Sequence, residues 1–293
     1  MQSSYRKLYE QGRDWLLQAG VADAETDAWY LLSECFSISR MTYLMERETL
    51  TDFSWEQTSR YEELIEKRAL HIPLQHLTGE QEFMGYPFFV NEHVLIPRQD
   101  TETLVETVLE LTEGKKSLSL LDMCTGSGCI AISLLLQGQG RFEKVTGVDL
   151  SSQALAVAKE NSRRLNVEIE WIQSDMFTSI LPVKVDVLVS NPPYIRPEVV
   201  DTLMPEVRDH EPRMALEGGA DGLDFYRILA KHAPLVLNPG GCLAVEIGHD
   251  QGAEVSALFL EAGLTDVLVR KDMAGLDRVV VGWKAASAIA ETV

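Results

Sequence analysis

The chain has 293 residues, 45% of them hydrophobic and 24% charged, which suits a globular protein with one large domain and one smaller domain. No apolar run approaches the roughly 20 residues that span a bilayer, and residues 1–7 carry no apolar signal core, so the sequence predicts a cytoplasmic protein without a membrane partner. The net charge of −19 disfavours a direct nucleic-acid partner, because proteins that grip phosphate backbones normally present a basic face.

The first part of the chain, residues 1–73, is expected to form a small helical bundle. Its apolar side chains recur at spacings of three and four between polar residues, as in Leu8, Trp15, Leu16, Trp29, Leu31, Leu32, Leu64, Ile65 and Ala69. We interpret this bundle as a substrate-docking module, with a packing accessory as the alternative. Residues 74–96 mix aromatic and β-branched side chains with glycine and proline, which predicts a β-hairpin linker.

Strand-like and helix-like runs alternate through residues 97–284. The predicted strands are Leu118–Met123, Lys144–Asp149, Glu168–Ile172, Val185–Ser190, Cys242–Ile247, Val267–Arg270 and Arg278–Trp283. The predicted helices are Thr101–Leu111, Cys129–Leu136, Ser152–Leu165, Leu223–Ala233 and Gly252–Ala262. This order predicts an α/β fold whose seven-stranded, mostly parallel, Rossmann-like sheet carries helices on both faces. Residues 285–293 are expected to be a frayed tail.

A glycine-rich turn follows the first of these strands. Thr125, Gly126, Ser127, Gly128 and Cys129 lead directly into a predicted helix. Two glycines let the backbone turn sharply beside a ligand, and the helix presents free N–H groups there. About twenty residues later Asp149 ends the next strand, where a carboxylate can bind ribose hydroxyls. The segment predicts an adenosine-containing ligand, and by itself it fits S-adenosylmethionine and NAD equally.

Ser174, Asp175, Met176 and Phe177 follow the third predicted strand of the sheet. In a doubly wound sheet this position faces the ligand crevice. Asp175 is therefore a candidate to bind an adenine amino group, and Met176 a candidate to pack on the purine ring. The alternative is structural, with Asp175 capping a helix and Phe177 in the core.

The strand Val185–Ser190 ends in the run Asn191-Pro192-Pro193-Tyr194. A proline pair after a strand is often only a stop signal. Here, however, an amide and an aromatic ring flank the prolines at the carboxyl end of a central strand. Asn191 Oδ1 and the Pro192 carbonyl are acceptors that can hold the two N–H groups of a planar amide and stabilise charge growing on its nitrogen. Tyr194 offers a ring against which that amide can lie.

The remaining reactive side chains give no sign of a metal site. Cys35, Cys124, Cys129 and Cys242 form no C-x-x-C pair and share no zinc spacing with histidine, so we expect reduced, mostly buried thiols. The loop from Glu211 to Gly222 is expected to cross the ligand edge of the sheet as a lid or a substrate wall. Glu246, at the end of a predicted strand, either faces the same crevice or caps a neighbouring element.

Several linked motifs resemble the peptide chain release factor glutamine N5-methyltransferase family. They are Gly79-Glu80-x-x-Phe83-x-Gly85, Ile96-Pro97-Arg98-x-x-Thr101-Glu102, Leu121-Asp122-x-Cys124-Thr125-Gly126-Ser127-Gly128, Asn191-Pro192-Pro193-Tyr194-Ile195, Glu211-Pro212-x-x-Ala215-Leu216, Asp221-Gly222-Leu223 and Glu246-Ile247-Gly248. The likeness runs from about residue 76 to 283. It implies a class I methyltransferase that uses S-adenosylmethionine and methylates the glutamine of a Gly-Gly-Gln loop in bacterial release factors, thereby modulating translation termination.

The resemblance also assigns roles to residues of this chain. Thr125, Gly126, Ser127, Gly128, Cys129, Asp149, Asp175, Met176 and Asn191 would bind the cofactor. Asn191, Pro192, Pro193 and Tyr194 would bind the substrate glutamine, with Asn191, Pro192 and Tyr194 catalytic. Arg98 and Thr101 would shape the entrance of the cofactor pocket. We expect a monomer with a protein substrate.

Two alternatives stay open at the level of sequence. An adenine-N6 or other nucleic-acid amino-methyltransferase would also suit a loop that binds a planar NH₂ group, although it would need a basic groove for a flipped base. A non-catalytic nucleotide-binding module would bind cofactor, and substitution of Asn191 would change no activity.

Overall fold

The computed structural model describes residues 2–180 and 182–286, so most of the predicted tail at 285–293 lies outside the described residues. The chain divides into two compact units. The first contains the residues up to Glu80 together with Met204–His210, and the second contains Gln81–Leu203 and the residues from Glu211 onward.

Regular elements account for most of both units. The strands in chain order are β1 Gln2–Ser3, β2 Thr51–Asp52, β3 Glu80–Phe83, β4 Tyr86–Phe89, β5 Leu118–Met123, β6 Phe142–Asp149, β7 Glu170–Gln173, β8 Val185–Ser190, β9 Leu237–Glu246, β10 Leu264–Lys271 and β11 Asp277–Lys284. The helices are α1 Tyr5–Gln18, α2 Ala24–Phe36, α3 Arg40–Glu46, α4 Trp55–Ala69, α5 Leu74–Thr78, α6 Gln99–Leu111, α7 Cys129–Gln137, α8 Ser152–Arg164, α9 Pro197–Val200, α10 Pro205–Arg208, α11 Asp224–Val236 and α12 Gly252–Glu261, with a 3₁₀ turn at Arg213–Ala215.

The first unit is the helical bundle that the apolar spacing predicts. Leu16, Leu31, Leu32 and Ile65 are almost fully buried in its core, whereas Trp15, part of the same apolar pattern, is 46% exposed. A buried ion pair joins α4 to α2, since Arg68 Nε lies 2.7 Å from an Asp27 carboxylate oxygen. Arg68 also contacts Glu206 at 2.9 Å, which holds the short helix α10 in this unit.

The second unit contains a seven-stranded sheet in the order β10-β11-β9-β8-β5-β6-β7. Strands β9, β8, β5, β6 and β7 pair in parallel, and β11 pairs antiparallel with both β9 and β10. The predicted α/β fold with a seven-stranded, mostly parallel sheet is therefore confirmed. Strand order reverses at β5, which has β6 on one side and β8 on the other, and ligands of such sheets bind beyond the carboxyl ends of strands at that point.

Some element boundaries differ from those predicted. Helix α11 continues to Val236, past the predicted end at Ala233, and contains Pro234 in its last turn. Strand β9 begins at Leu237, five residues before the predicted Cys242, although a proline and two glycines follow its first residues. The segment 74–96 does contain the predicted hairpin, β3–β4, but it opens with the helix α5.

Three of the four cysteines, Cys35, Cys129 and Cys242, are buried, as predicted, and Cys124 is half-buried. Among residues 2–180 and 182–286, no helix combines the length and apolar character that crossing a lipid bilayer requires.

Candidate active site

The glycine-rich turn between β5 and α7 is built from left-handed backbone. Cys124, Gly126 and Gly128 have φ values of 61°, 55° and 79°. Thr125 N–H donates to the Val148 carbonyl at 2.9 Å, which fixes the turn against the end of β6. A Cβ at Gly128 would lie 2.7 Å from the Trp171 ring, so only glycine fits there, while a Cβ at Gly126 would meet open space. The turn is therefore closely packed at Gly128 and leaves open space at Gly126, where a ligand could approach the backbone.

A buried carboxyl group supports this turn from below. Asp122 is fully buried, and its Oδ2 accepts a 2.6 Å hydrogen bond from the Thr125 hydroxyl. Among the described residues its Oδ1 has no hydrogen-bond partner. Burial raises the pKa of Asp122 to about 7, against the opposing effects of the Thr125 hydroxyl and the Ala131 N–H. Asp122 belongs to a motif of the sequence, but no role was predicted for it.

The raised pKa of Asp122 predicts a pH-dependent stability difference between the protein and its Asp122→Asn variant. The unfolded carboxyl group ionises near 3.8 and the folded one near 7, so rising pH progressively favours the unfolded wild type. At about 1.4 kcal/mol per pKa unit, the total effect is about 4 kcal/mol, of which about 2 kcal/mol falls between about pH 5.5 and pH 8. Over this pH range we expect the free energy of unfolding of the wild type to fall by about 2 kcal/mol relative to that of D122N. Urea unfolding at several pH values measures the difference, and parallel pH curves for the two proteins would contradict it.

Asp149 ends β6 and binds the backbone on both sides of the site. Its Oδ2 accepts from the Gly126 N–H at 2.9 Å, and its Oδ1 accepts from the Ser151 N–H at 2.9 Å at the start of α8. Burial raises the pKa of Asp149, while these N–H groups and that of Leu150 lower it. Each carboxylate oxygen keeps a second lone pair for a ligand. The sequence prediction that Asp149 accompanies the glycine turn is consistent with this geometry.

A cavity of about 330 Å³ opens beyond the carboxyl ends of β5, β6 and β8. Predicted site residues that line it are Thr125, Gly126, Ser127, Cys129, Asp149, Asp175, Met176, Asn191 and Pro193, together with Arg98 and Thr101. The described residues that line the cavity do not include Gly128, Pro192 or Tyr194. The structure therefore brings most of the predicted cofactor residues to one place.

The segment after β7 forms one wall of this cavity. Asp175 and Met176 line it, and Met176 has the strained φ of 47°. Phe177 is buried in the core, as the structural alternative proposed. It is Ser174, however, whose hydroxyl accepts the Ser179 N–H at 3.0 Å and thereby caps the following turn. The Asp175 side chain is left at the cavity wall.

The Asn191–Tyr194 loop begins where β8 ends. Ser190 Oγ donates to the Met123 carbonyl at 2.6 Å, which joins the ends of β8 and β5. Asn191 Nδ2 donates to Thr101 Oγ1 at 3.2 Å, and no described residue donates a hydrogen bond to Asn191 Oδ1. Because the Asn191 amide lies at the cavity, its oxygen is the acceptor left for a ligand.

Tyr194 lies deeper and contacts a buried glutamate. Its hydroxyl donates to Glu246 Oε1 at 3.3 Å, and burial raises the pKa of the phenol. Glu246 is 2% exposed, and burial raises the pKa of its carboxyl group to about 7, against the Thr101 hydroxyl, the Arg278 charge and the Tyr194 hydroxyl. Glu246 is absent from the described residues that line the cavity, and its carboxyl group accepts a side-chain hydroxyl rather than capping a helix or loop, so neither interpretation from the sequence is supported.

The loop after α10 forms the outer wall, as the lid or wall interpretation predicted. Pro212, Met214, Ala215 and Glu217 all line the cavity. Arg98 Nη2 contacts both Glu211 oxygens, at 2.6 and 2.8 Å, and the Glu211 side chain is 1% exposed. This pair joins the segment before α6 to the start of the loop.

One stretch of the cavity wall was not predicted from the sequence. Residues 93–95 line it, although the sequence predicts that they belong to the linker at 74–96, and Pro97 of the motif before Arg98 lines it as well. The available signal was the pair of apolar, β-branched residues Val94 and Ile96 directly before Arg98, and both are nearly fully buried in the structure. Among the described residues, no group of three or more histidine, cysteine, aspartate or glutamate side chains is arranged to hold a metal ion.

Comparison with known proteins agrees with this architecture. A model of the PrmC N-terminal domain matches residues 7–79, and a model of the methyltransferase small domain matches residues 99–207. The crystal structure of a methyltransferase from Pyrococcus furiosus shares the fold, with a TM-score of 0.51 at 18% identity over 69% of this chain and 90% of that one.

Two curated relatives align along nearly their whole length. The release factor glutamine methyltransferase of Caulobacter vibrioides is 41% identical over 280 residues, 95% of this chain and 96% of the relative. The protein of the same name from Geobacter sulfurreducens is 38% identical over 277 residues, 94% of this chain and 95% of the relative. The chain belongs to the release factor glutamine methyltransferase family.

Proposed function

We propose that this chain transfers a methyl group from S-adenosylmethionine to the side-chain amide nitrogen, N5, of the glutamine in the Gly-Gly-Gln motif of peptide chain release factors, and so modulates translation termination. The observation that carries the proposal is the Asn191 amide, held by Thr101 so that Oδ1 remains an acceptor at the cavity. A planar NH₂ group is the complement of that acceptor.

The cavity fits the proposed cofactor. Asp149 and Asp175 supply carboxylates for ribose and adenine, Met176 supplies an apolar surface, and Gly126 leaves room for close approach. When bound there, S-adenosylmethionine supplies an electrophilic methyl group on a positively charged sulfur. The proposed cofactor set remains Thr125, Gly126, Ser127, Gly128, Cys129, Asp149, Asp175, Met176 and Asn191.

The residues of the loop then act on the substrate. A glutamine nitrogen is a weak nucleophile, because its lone pair is delocalised into the carbonyl group. Asn191 Oδ1 and the Pro192 carbonyl accept the two N–H groups, which aims the nitrogen and stabilises the positive charge that develops on it. Pro193 and Tyr194 confine the planar amide. The nitrogen loses its proton after transfer, so the loop needs no strong base.

The helical part of the chain, residues 1–73, is the proposed docking module for the release factor. Its supporting observation is a set of large apolar side chains left in solvent, since Met41, Met45 and Trp55 are 71%, 79% and 79% exposed. We further propose that residues 97–284 form the methyltransferase domain and that the protein acts as a cytoplasmic monomer.

Methyl-labelled S-adenosylmethionine and purified bacterial release factors test this function directly. We expect label on the intact release factor and none on a factor whose Gly-Gly-Gln glutamine is changed to glutamate. Peptide mapping then places the label on that glutamine. Transfer to adenine-containing DNA or RNA, with none to release factor, would instead support the nucleic-acid amino-methyltransferase. Cofactor binding without transfer to any acceptor would support a binding module.

Removal of the Asp149 carboxylate tests the cofactor assignment. We expect Asp149→Ala to raise the Kd for S-adenosylmethionine by roughly 10- to 100-fold, because a hydrogen bond to a charged group contributes about 1.5–3 kcal/mol. Titration calorimetry with S-adenosylmethionine measures the loss. Asp52→Ala, at an exposed position of the helical unit, is the control and should leave Kd unchanged. Equal affinity of D149A and wild type would remove Asp149 from the cofactor site.

A further inference from the structure

Gln251 immediately precedes helix α12 but does not cap it. It lies at the N-cap position, and its side chain makes no capping hydrogen bond to the helix. Short side chains such as serine, aspartate and asparagine are favoured there, because their oxygens reach the free N–H groups of the first turn. The longer Gln251 side chain instead bonds to backbone groups that lie 57 and 29 positions earlier in the chain. The reason for a glutamine at this position therefore lies in those distant contacts.

The Gln251 amide joins three loops of the second unit. Its Nε2 donates to the Tyr194 carbonyl and to the Gly222 carbonyl, each at 3.2 Å. Its Oε1 accepts the Gly248 N–H at 2.9 Å, and the Tyr226 hydroxyl lies 3.4 Å from the same oxygen. Both amide protons are thus used, and each goes to the backbone oxygen of a different loop.

The partners of the Gln251 amide leave it one orientation. A backbone N–H can only donate a hydrogen bond, and a backbone carbonyl can only accept one. If the amide were turned over, Nε2 would face the Gly248 N–H and Oε1 would face two carbonyl oxygens, so these hydrogen bonds would all be lost. The amide is therefore a fixed link with two donors between the Tyr194 and Gly222 carbonyls.

The two linked carbonyl groups belong to the loops that form the site. Tyr194 ends the catalytic loop, residues 191–194, and Gly222 ends the wall loop, residues 211–222. The backbone also pairs at Ile195, whose N–H donates to the Leu216 carbonyl and whose carbonyl accepts the Gly218 N–H, both at 2.9 Å. Among the described residues, only Gln251 donates a hydrogen bond to the Tyr194 carbonyl. The Gln251 amide therefore closes the end of this pairing that is nearest to the catalytic loop.

We propose that Gln251 is a positioning residue of the catalytic loop: its two N–H groups hold the Tyr194 carbonyl to the wall loop at Gly222, and so set where the Tyr194 ring stands for the substrate amide. The other end of that ring is held as well, since its hydroxyl donates to Glu246 Oε1 at 3.3 Å. The effect of Gln251 on methyl transfer rests on the proposed function, whereas its effect on the loop does not.

Gln251→Asn in the full-length protein is the kinetic test. Asparagine keeps the amide but is one methylene too short for both carbonyls, and it is favoured at an N-cap, so α12 should lose no stability. We expect kcat for release factor methylation to fall by roughly 10- to 100-fold, because a misplacement of about 1 Å at a reacting centre has a cost of that order. The release factor KM and the Kd for S-adenosylmethionine should change less than about threefold, since a misaimed substrate is still bound. A loss of kcat that only followed a loss of folded protein would overturn the role.

Gln251→Glu tests the two donors separately from the acceptor. Glutamate keeps the length of the side chain and an acceptor for the Gly248 N–H, but it sets its second oxygen against the Tyr194 and Gly222 carbonyls. We expect the kcat of Q251E to fall at least as far as that of Q251N. Wild-type kcat in either variant would show that the donors do not position the loop.

Gln137→Asn is the matched control. Gln137 also donates its Nε2 to a backbone carbonyl, that of Met84, at 3.0 Å. It ends α7, whereas the cavity lies at the opposite end of that helix, where Cys129 lines it. The same amino-acid change at this position should leave kcat unchanged. Equal losses of kcat in Q137N and Q251N would contradict the positioning role.

Hydrogen exchange provides a measurement that does not depend on the substrate. In ¹⁵N-labelled protein without release factor, we expect the backbone amides of Ile195 and Gly218 to exchange roughly 5- to 10-fold faster in Q251N than in wild type, because the pairing loses the hydrogen bonds at its end. Q137N should exchange there at the wild-type rate. Unchanged exchange in Q251N would reject the role of Gln251. Faster exchange in Q251N, with a wild-type protein that methylates no release factor, would instead retain that role and reject the proposed function.

Discussion

Replacing Asn191 by alanine is expected to lower kcat for glutamine methylation by roughly 10²- to 10³-fold, the cost typical of losing one preorganised polar group at a transition state. The alanine removes the Oδ1 acceptor that holds the substrate N–H and offsets the charge growing on nitrogen. It leaves the glycine turn and Asp149 in place, so the Kd for S-adenosylmethionine should change much less, within about tenfold. Single-turnover kinetics with a release factor, and calorimetry with the cofactor, measure the two quantities.

Asn191→Asp is the matched control for this prediction. Aspartate keeps an acceptor of the same shape but loses the Nδ2 that donates to Thr101. We therefore expect it to retain more activity than alanine while remaining below wild type. An N191A protein whose kcat stays within about fivefold of wild type would show that Asn191 is not the principal acceptor, and would make backbone carbonyls of the loop the remaining candidates.

The strands that flank the site were predictable from sequence because their pattern is local. Strands β5 and β8 begin and end at the predicted residues, since each is a short, mainly apolar run followed within three residues by a glycine or a proline. The four-residue helices α9 and α10 were missed, because they are too short to show a helical period. Strand β9 was predicted short because Pro239, Gly240 and Gly241 resemble a turn.

The candidate site was predictable where residues adjacent in sequence share a function. The glycine turn and the Asn191 loop each carry their signal within a few residues. The contacts that support them do not: Arg98 and Glu211 are 113 positions apart, and Asn191 and Thr101 are 90 apart. Such pairs depend on which loops the sheet brings together, so a single sequence gives the motif but not its partner. The protonation state of a buried group such as Asp122 depends on the same packing.

The second large effect on kcat is expected at Gly218, which packs against the loop that contains Tyr194. Ile195 pairs with this region, since its N–H donates to the Leu216 carbonyl and its carbonyl accepts the Gly218 N–H, both at 2.9 Å. A Cβ at Gly218 would lie 2.6 Å from Tyr194 Cα and 2.8 Å from the Pro193 carbonyl oxygen. These are backbone atoms, so Gly218→Ala must displace the catalytic loop itself.

We expect G218A to lower kcat by roughly 10²-fold or more, because a misplacement of about 1 Å at a reacting centre has that cost. Cofactor affinity should change little, since the glycine turn lies elsewhere. Gly252→Ala is the matched control: the three atoms nearest its new Cβ all belong to the Asp277 side chain, with Oδ2 nearest at 2.8 Å, and that side chain can move aside. Alanine also suits the first turn of α12. Both variants are assayed for methyl transfer, cofactor binding and thermal unfolding. A G218A protein that is as active as G252A would mean that Pro193 and Tyr194 tolerate displacement, and would place the catalytic geometry in Asn191 alone.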